Sequence, residues 1–164
     1  MKKNGQIKLS FAMIFSIILI IIFIAFAIYG IMKFLELQRN VQIVQFLDEI
    51  QNDVDKIWKS SQGSQTNEYR LPTKIKSICF ADFYSSKKGL DADKYNELKL
   101  SFYEFENLVF YPVGSSEISA YNLKHINITE TAKTNNPLCF ENNKGKLILN
   151  IQMNPGDSLV TISR

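Results

Sequence analysis

From Leu9 to Met32 the chain runs for 24 residues without a charge, and only Ser10, Ser16 and Gly30 interrupt its apolar and aromatic side chains. As a helix rising about 1.5 Å per residue, such a run spans about 36 Å, enough to cross a hydrocarbon core of about 30 Å with some tilt. A core helix of a globular protein keeps a polar face. Lipid requires the opposite, because no water is present to satisfy polar groups. The run therefore predicts a transmembrane helix over residues 9–32, with membrane lipid as its partner. The competing reading is a cleaved secretory signal, with Lys2 and Lys3 as its charged start and Ala25, Phe26, Ala27 as a small-x-small site. The apolar core is long for a signal and continues past that site through Ile28, Tyr29, Ile31 and Met32, which favours a retained anchor. Lys2, Lys3 and Lys8 precede the span, against Lys33 and Arg39 after it. This excess predicts a cell-membrane protein with a cytoplasmic N-terminus and a C-terminal domain outside.

The 164 residues leave room for one domain beside the anchor. Of 19 Lys and Arg, four lie in residues 1–34, which hold no acid, so 15 cations face 16 Asp and Glu in the remainder. The globular part is nearly neutral, and Lys87 and Lys88 form its largest basic cluster. Nucleic acid as a partner is excluded on that ground, since neutralising phosphates needs a basic patch.

Between Phe34 and Lys59 there is no Gly or Pro, and Ile43, Leu47, Ile50, Val54 and Ile57 recur at helical spacing with charged and amide residues between them. The pattern predicts an amphipathic helix over 33–60 that continues the anchor. Its stripe packs on the chain's own sheet or, alternatively, forms a seam for self-association or partner helices. Ser60 to Asn67 are polar and read as a loop. Beyond them the period becomes two. Alternation at Leu98, Leu100 and Phe102 predicts one strand, and alternation at Leu147, Leu149, Ile151 and Met153 predicts another. Asn154, Pro155, Gly156 and Asp157 then make a tight turn into Ser158–Ser163, completing a hairpin. Further strands are expected at Lys74–Phe80, Leu108–Val113 and Glu117–Thr129. The expected fold class is α+β: a long N-terminal helix, transmembrane and then amphipathic, packed on a small, mainly antiparallel β-sheet domain. The expected organisation is a basic tail over 1–8, the span over 9–32, the amphipathic helix over 33–60 and a β-rich extracytoplasmic domain over 61–164.

Cys79 and Cys139 are the only cysteines. An even count in a domain placed outside fits a disulfide, and closing about 60 residues would contribute roughly 4 kcal/mol in the chain-entropy view. Two buried thiols are the alternative. Two Cys without a matching pair of His do not make a structural zinc site, so no metal is expected. His125, the sole histidine, reads as a solvent-facing strand residue, and no nucleophile motif accompanies it. Glu104 and Glu106 share one strand face as solvent charges, without an acid and base assignment. No glycine-rich phosphate loop is present, so no cofactor, catalytic residue or enzymatic activity is expected. Asn127, Ile128 and Thr129 form an N-glycosylation acceptor if the domain lies outside. Phe102, Tyr103, Phe105, Phe110 and Tyr111 read as core and strand surface, or alternatively as a stacking platform for a sugar or a base.

With Lys2, Lys3, Gly5, Gln6 and Phe11, the N-terminus resembles that of archaeal type IV pilin-like proteins, in which a short basic leader ends in Gly before Gln and an apolar helix. The chain departs from that pattern at Asn4, where a basic residue is expected, at Lys8, and at Ser10, where Glu is frequent. The resemblance implies cleavage between Gly5 and Gln6, retention of the anchor, and a long helix carrying a β-rich head. The expected function is a single-pass, membrane-anchored surface protein of structural or interaction type, with a pilin-like subunit as its finer form. A tethered module that binds a small ligand or partner protein is the alternative.

Overall fold

The computed structural model describes residues 11–164. The basic tail and the implied leader site at Gly5 and Gln6 lie outside the described residues. The chain divides into two compact units, one ending at Gln38 and one running from Arg39 to Arg164.

Helix α1 spans Phe11–Ser60. From Phe11 to Met32 it carries no charge, with a mean hydropathy of 3.2 over its most apolar 18-residue window and none of that window buried in protein. It is long and apolar enough to cross a membrane. The hydroxyl of Ser16 donates to the carbonyl of Ala12 at 2.8 Å, which satisfies the polar atom within the helix itself.

In the second unit α1 behaves as an amphipathic helix. Ile43, Phe46, Leu47, Ile50, Val54 and Ile57 are buried in the head's core. The stripe Ile43, Leu47, Ile50, Val54 and Ile57 therefore packs on the chain's own sheets. Seven strands follow: β1 (Gly63–Arg70), β2 (Ser77–Phe80), β3 (Leu108–Tyr111), β4 (Ala120–Tyr121), β5 (Leu138–Glu141), β6 (Lys146–Met153) and β7 (Thr161–Ser163). They form two antiparallel sheets, ordered β1-β6-β7 and β4-β3-β2-β5. Phe46 joins helix to both sheets, edge-on to Tyr69 of β1 at 5.6 Å and to Phe110 of β3 at 6.0 Å.

The two sheets differ in sequence because they differ in cover. β6 alternates between core and solvent, as a strand with one wet face must. From Ile78 to Phe80 in β2 and Leu108 to Phe110 in β3 the strands are apolar without alternation, because Ile78, Phe80, Leu108 and Phe110 enter the main core while Cys79 and Val109 enter a second cluster on the opposite face. That second cluster lies under a short helix, α2 (Tyr95–Leu98), and the 3-10 turn Lys99–Ser101.

Four expectations are corrected. Residues 98–102 form no strand: Tyr95, Leu98 and Ser101 are buried at spacings of three, the period of a tight helix, which leaves Leu100 outside. Residues 63–67, read as loop, are strand, because β6 pairs with every residue of β1 from Gly63 to Arg70 and supplies the hydrogen bonds that the polar side chains do not signal. Of residues 117–129 only Ala120 and Tyr121 are strand; the segment then turns into helix α3 (Ile128–Thr131). His125 sits in that turn with φ of 63°, so it is not a strand residue. The C-terminal hairpin forms as expected, with Gly156 at φ of 93° and the carboxylate of Asp157 accepting from the backbone of Asn154 at 3.0 Å.

Candidate functional site

Cys79 and Cys139 face each other in the β2–β5 register, with their sulfurs 2.03 Å apart. The link joins neighbouring strands of one sheet and is buried in the second cluster. Its sulfurs carry no free thiol for nucleophilic or ligand chemistry.

His125 sits in a clasp against α1. Its Nδ1 lies 2.8 Å from Oδ1 of Asp55, and its ring stacks on the indole of Trp58 at 3.8 Å with the planes 2° apart. The Gln51 side chain donates to Asp55 at 2.8 Å, and its carbonyl accepts from the backbone of Lys124 at 2.9 Å. The Trp58 indole donates to the carbonyl of Ser158 at 3.2 Å. Burial pushes the Asp55 carboxyl upward, but hydrogen bonds from His125 and Gln51 and the charges of His125 and Lys59 outweigh it and hold the group below the usual carboxylate range. About two turns of α1 thus fasten both the 124–126 turn and the loop that leads into β7.

A second polar network links α1 to β1. The Tyr69 hydroxyl donates to Asp53 at 2.7 Å, and the Asn67 amide donates to the same oxygen. Burial, and then the hydrogen bond to Asp53, drive the Tyr69 hydroxyl far above its ordinary range. This network lines a shallow groove with Glu49, Asn52 and Glu68, and among the described residues no group of three or more metal-ligating side chains occurs.

Asn127 caps α3, its side-chain oxygen accepting from the backbone of Glu130 at 3.0 Å. Thr129, the third residue of the acceptor triplet, donates to Asp82 at 3.3 Å. Glu106 caps a loop instead of pairing with Glu104: its Oε2 accepts from the backbone of Tyr103 at 2.9 Å and of Glu104 at 3.0 Å. Burial acts to raise its carboxyl, and backbone N–H groups of the loop outweigh it, so the group sits below the usual range.

Of the head's most exposed apolar side chains, Tyr84, Leu100, Tyr103 and Phe105 line clefts that Glu106 also lines, while Leu90 sits beside Asn135. Tyr84, Leu90, Leu100, Tyr103 and Phe105 are 68 to 83% exposed, whereas the only comparably exposed large apolar residue on the sheets is Ile148 at 60%. The local fold explains the arrangement. Leu98 goes inward, and Phe102 turns back onto Phe83 at 4.9 Å and Tyr84 at 5.6 Å, which leaves Leu100, Tyr103 and Phe105 to project. The Tyr84 hydroxyl donates to the carbonyl of Glu104 at 2.8 Å and fixes the segment from its other side. Of the aromatic run, Phe110 is core, Phe102 and Tyr111 are half-buried, and Tyr103 and Phe105 are surface outside any strand. A cleft of about 400 Å³ opens between this segment and the β3–β4 loop, lined by Leu100, Tyr103, Glu106, Glu117, Ile118 and Ser119. A smaller one of about 130 Å³ lies on the other side, against Tyr84, Phe102 and Phe105. Sequence reading passed over Tyr84 and Leu90 and placed Leu100 on a strand; isolated apolar residues in polar surroundings carry no signal until their burial is known. Compared with known protein families, characterised proteins and solved structures, the chain matches none.

Proposed function

We propose that this chain is a single-pass membrane protein of structural or interaction type, anchored by the first part of α1 and presenting its disulfide-linked head on the outer side. The observation that carries the reading is the apolar surface of α1, exposed on all sides with none of its most apolar window covered by protein. Water does not tolerate such a helix, and lipid does. The cation excess before the span and the Cys79–Cys139 link favour the outward placement, because disulfides persist in oxidising compartments. In its finer form the protein is a pilin-like subunit, a reading supported by the Gly5-Gln6 boundary and by a helix that is apolar first and amphipathic second. The binding-module reading draws on the exposed 84–105 lobe, since large apolar patches on a small domain mark interaction surfaces.

Membrane fractionation tests the anchor: the protein should pellet with membranes, resist alkaline carbonate and need detergent for release. Recovery from the cytosol without detergent would end the proposal. Mass spectrometry of the mature N-terminus tests the finer form, which requires Gln6 as the first residue; an intact Met1 or a start after Ala27 rules it out.

A further inference from the structure

The cleft between the 100–106 segment and the β3–β4 loop narrows what can occupy it. Tyr103 stands at its rim with 83% of its surface in solvent, and an aromatic face held this open favours a flat apolar cover. Glu106 and Glu117 are its only charged lining residues, and no Lys or Arg lines it among the described residues. Phosphate, sulfate and carboxylate ligands would meet acceptors and like charge there. Glu106 is pinned by two backbone N–H groups, which share its charge and hold it in place, so it loses little freedom when a ligand arrives. A compact cation would find one ring rather than an enclosing cage, and one of the two carboxylates already partly neutralised. The remaining demand is for a ligand that donates several hydrogen bonds and offers an apolar face of ring size. A pyranose does both, through its hydroxyls and its C–H face. The cleft's volume of about 400 Å³ lies within the range of small-ligand sites.

We infer that this cleft binds a neutral saccharide, with Tyr103 as the stacking platform and Glu106 and Glu117 accepting hydroxyl hydrogen bonds. The inference rests on reading the 84–105 lobe as the head's presented surface. The test uses the full chain in lipid nanodiscs free of sugar-based detergent, with saturation-transfer NMR on soluble chitotriose, cellotriose, mannotriose and lactose. Saturation should reach ring protons of at least one saccharide, fall about fivefold or more in Tyr103→Ala and in Glu117→Gln, and stay unchanged in Ile148→Ala. Because both cleft side chains are exposed, circular dichroism of the variants should match the parent. Transfer to none of the four, equal transfer in Tyr103→Ala, or Tyr103-dependent binding of choline chloride instead would overturn the inference. Absent transfer with intact membrane pelleting sinks the saccharide site alone, whereas loss of pelleting sinks the anchor and leaves this readout standing.

Discussion

At the scale of single residues, Asp55 and Phe46 show how few side chains hold the head together. The Asp55 carboxyl titrates below its ordinary range in the folded protein, so its contribution is present above the unfolded carboxylate's pKa and is lost as pH falls through the lower, folded value. Asp55→Asn should therefore lower stability by about 1 kcal/mol or less near neutrality, given the partly exposed pair, and the gap from the parent should close in acid. Urea midpoints at neutral pH and near pH 3 check both halves of that statement. A gap that widens in acid would contradict it. Phe46→Ala removes the ring that touches both sheets and should cost about 3 to 5 kcal/mol, read from the same urea transitions. At this scale the sequence was least legible. His125 meets Asp55 from 70 positions away, and Tyr69 meets Asp53 across a loop, pairings that no local pattern encodes. Glu106 is different, because its partners lie two and three residues away, and a carboxylate following a turn is a cap that could have been read.

Among the elements, legibility followed how much of the local pattern burial had to satisfy. The α1 stripe and the C-terminal hairpin were readable because one face of each is wet and the other dry, which imprints a period on the sequence. β1 was hidden because only Tyr69 in it is buried, so its identity comes from pairing with β6 rather than from side chains. The segment at residues 98–102 misled because alternation over five residues also fits a helical turn that buries every third position. That difference is measurable. Leu98→Ala should destabilise by about 2 to 5 kcal/mol, while Leu100→Ala should fall within about 0.5 kcal/mol, by thermal or denaturant unfolding. Equal losses at both sites would restore the strand reading. The β2–β5 link closes a long loop, so the Cys79→Ser, Cys139→Ser double variant should lose about 4 kcal/mol, measured against the oxidised parent.

For the whole molecule, the sequence announced a helix long and apolar enough to cross a membrane and the α+β class before any contact was known, because a 24-residue uncharged run admits few alternatives. Which surface the head presents was not legible, since exposure of Tyr84, Leu100 and Tyr103 depends on what the rest of the chain covers. Replacing both Ile20 and Ile24 by Arg should strip the protein from carbonate-washed membranes, as each cation near the centre of a span costs roughly 2.5 to 3.5 kcal/mol of insertion. Unchanged pelleting would mean that the run is not held by lipid. Since α1 supplies the head with its Ile43–Ile57 stripe, the boundary for shedding lies inside a continuous helix. A protease cutting just before Arg39 would liberate a head that keeps its own hydrophobic lid and can diffuse away folded. A cut about two turns later, past Phe46, would take Ile43 and Phe46 out of that lid, bare the core they cover and deliver a fragment prone to clump.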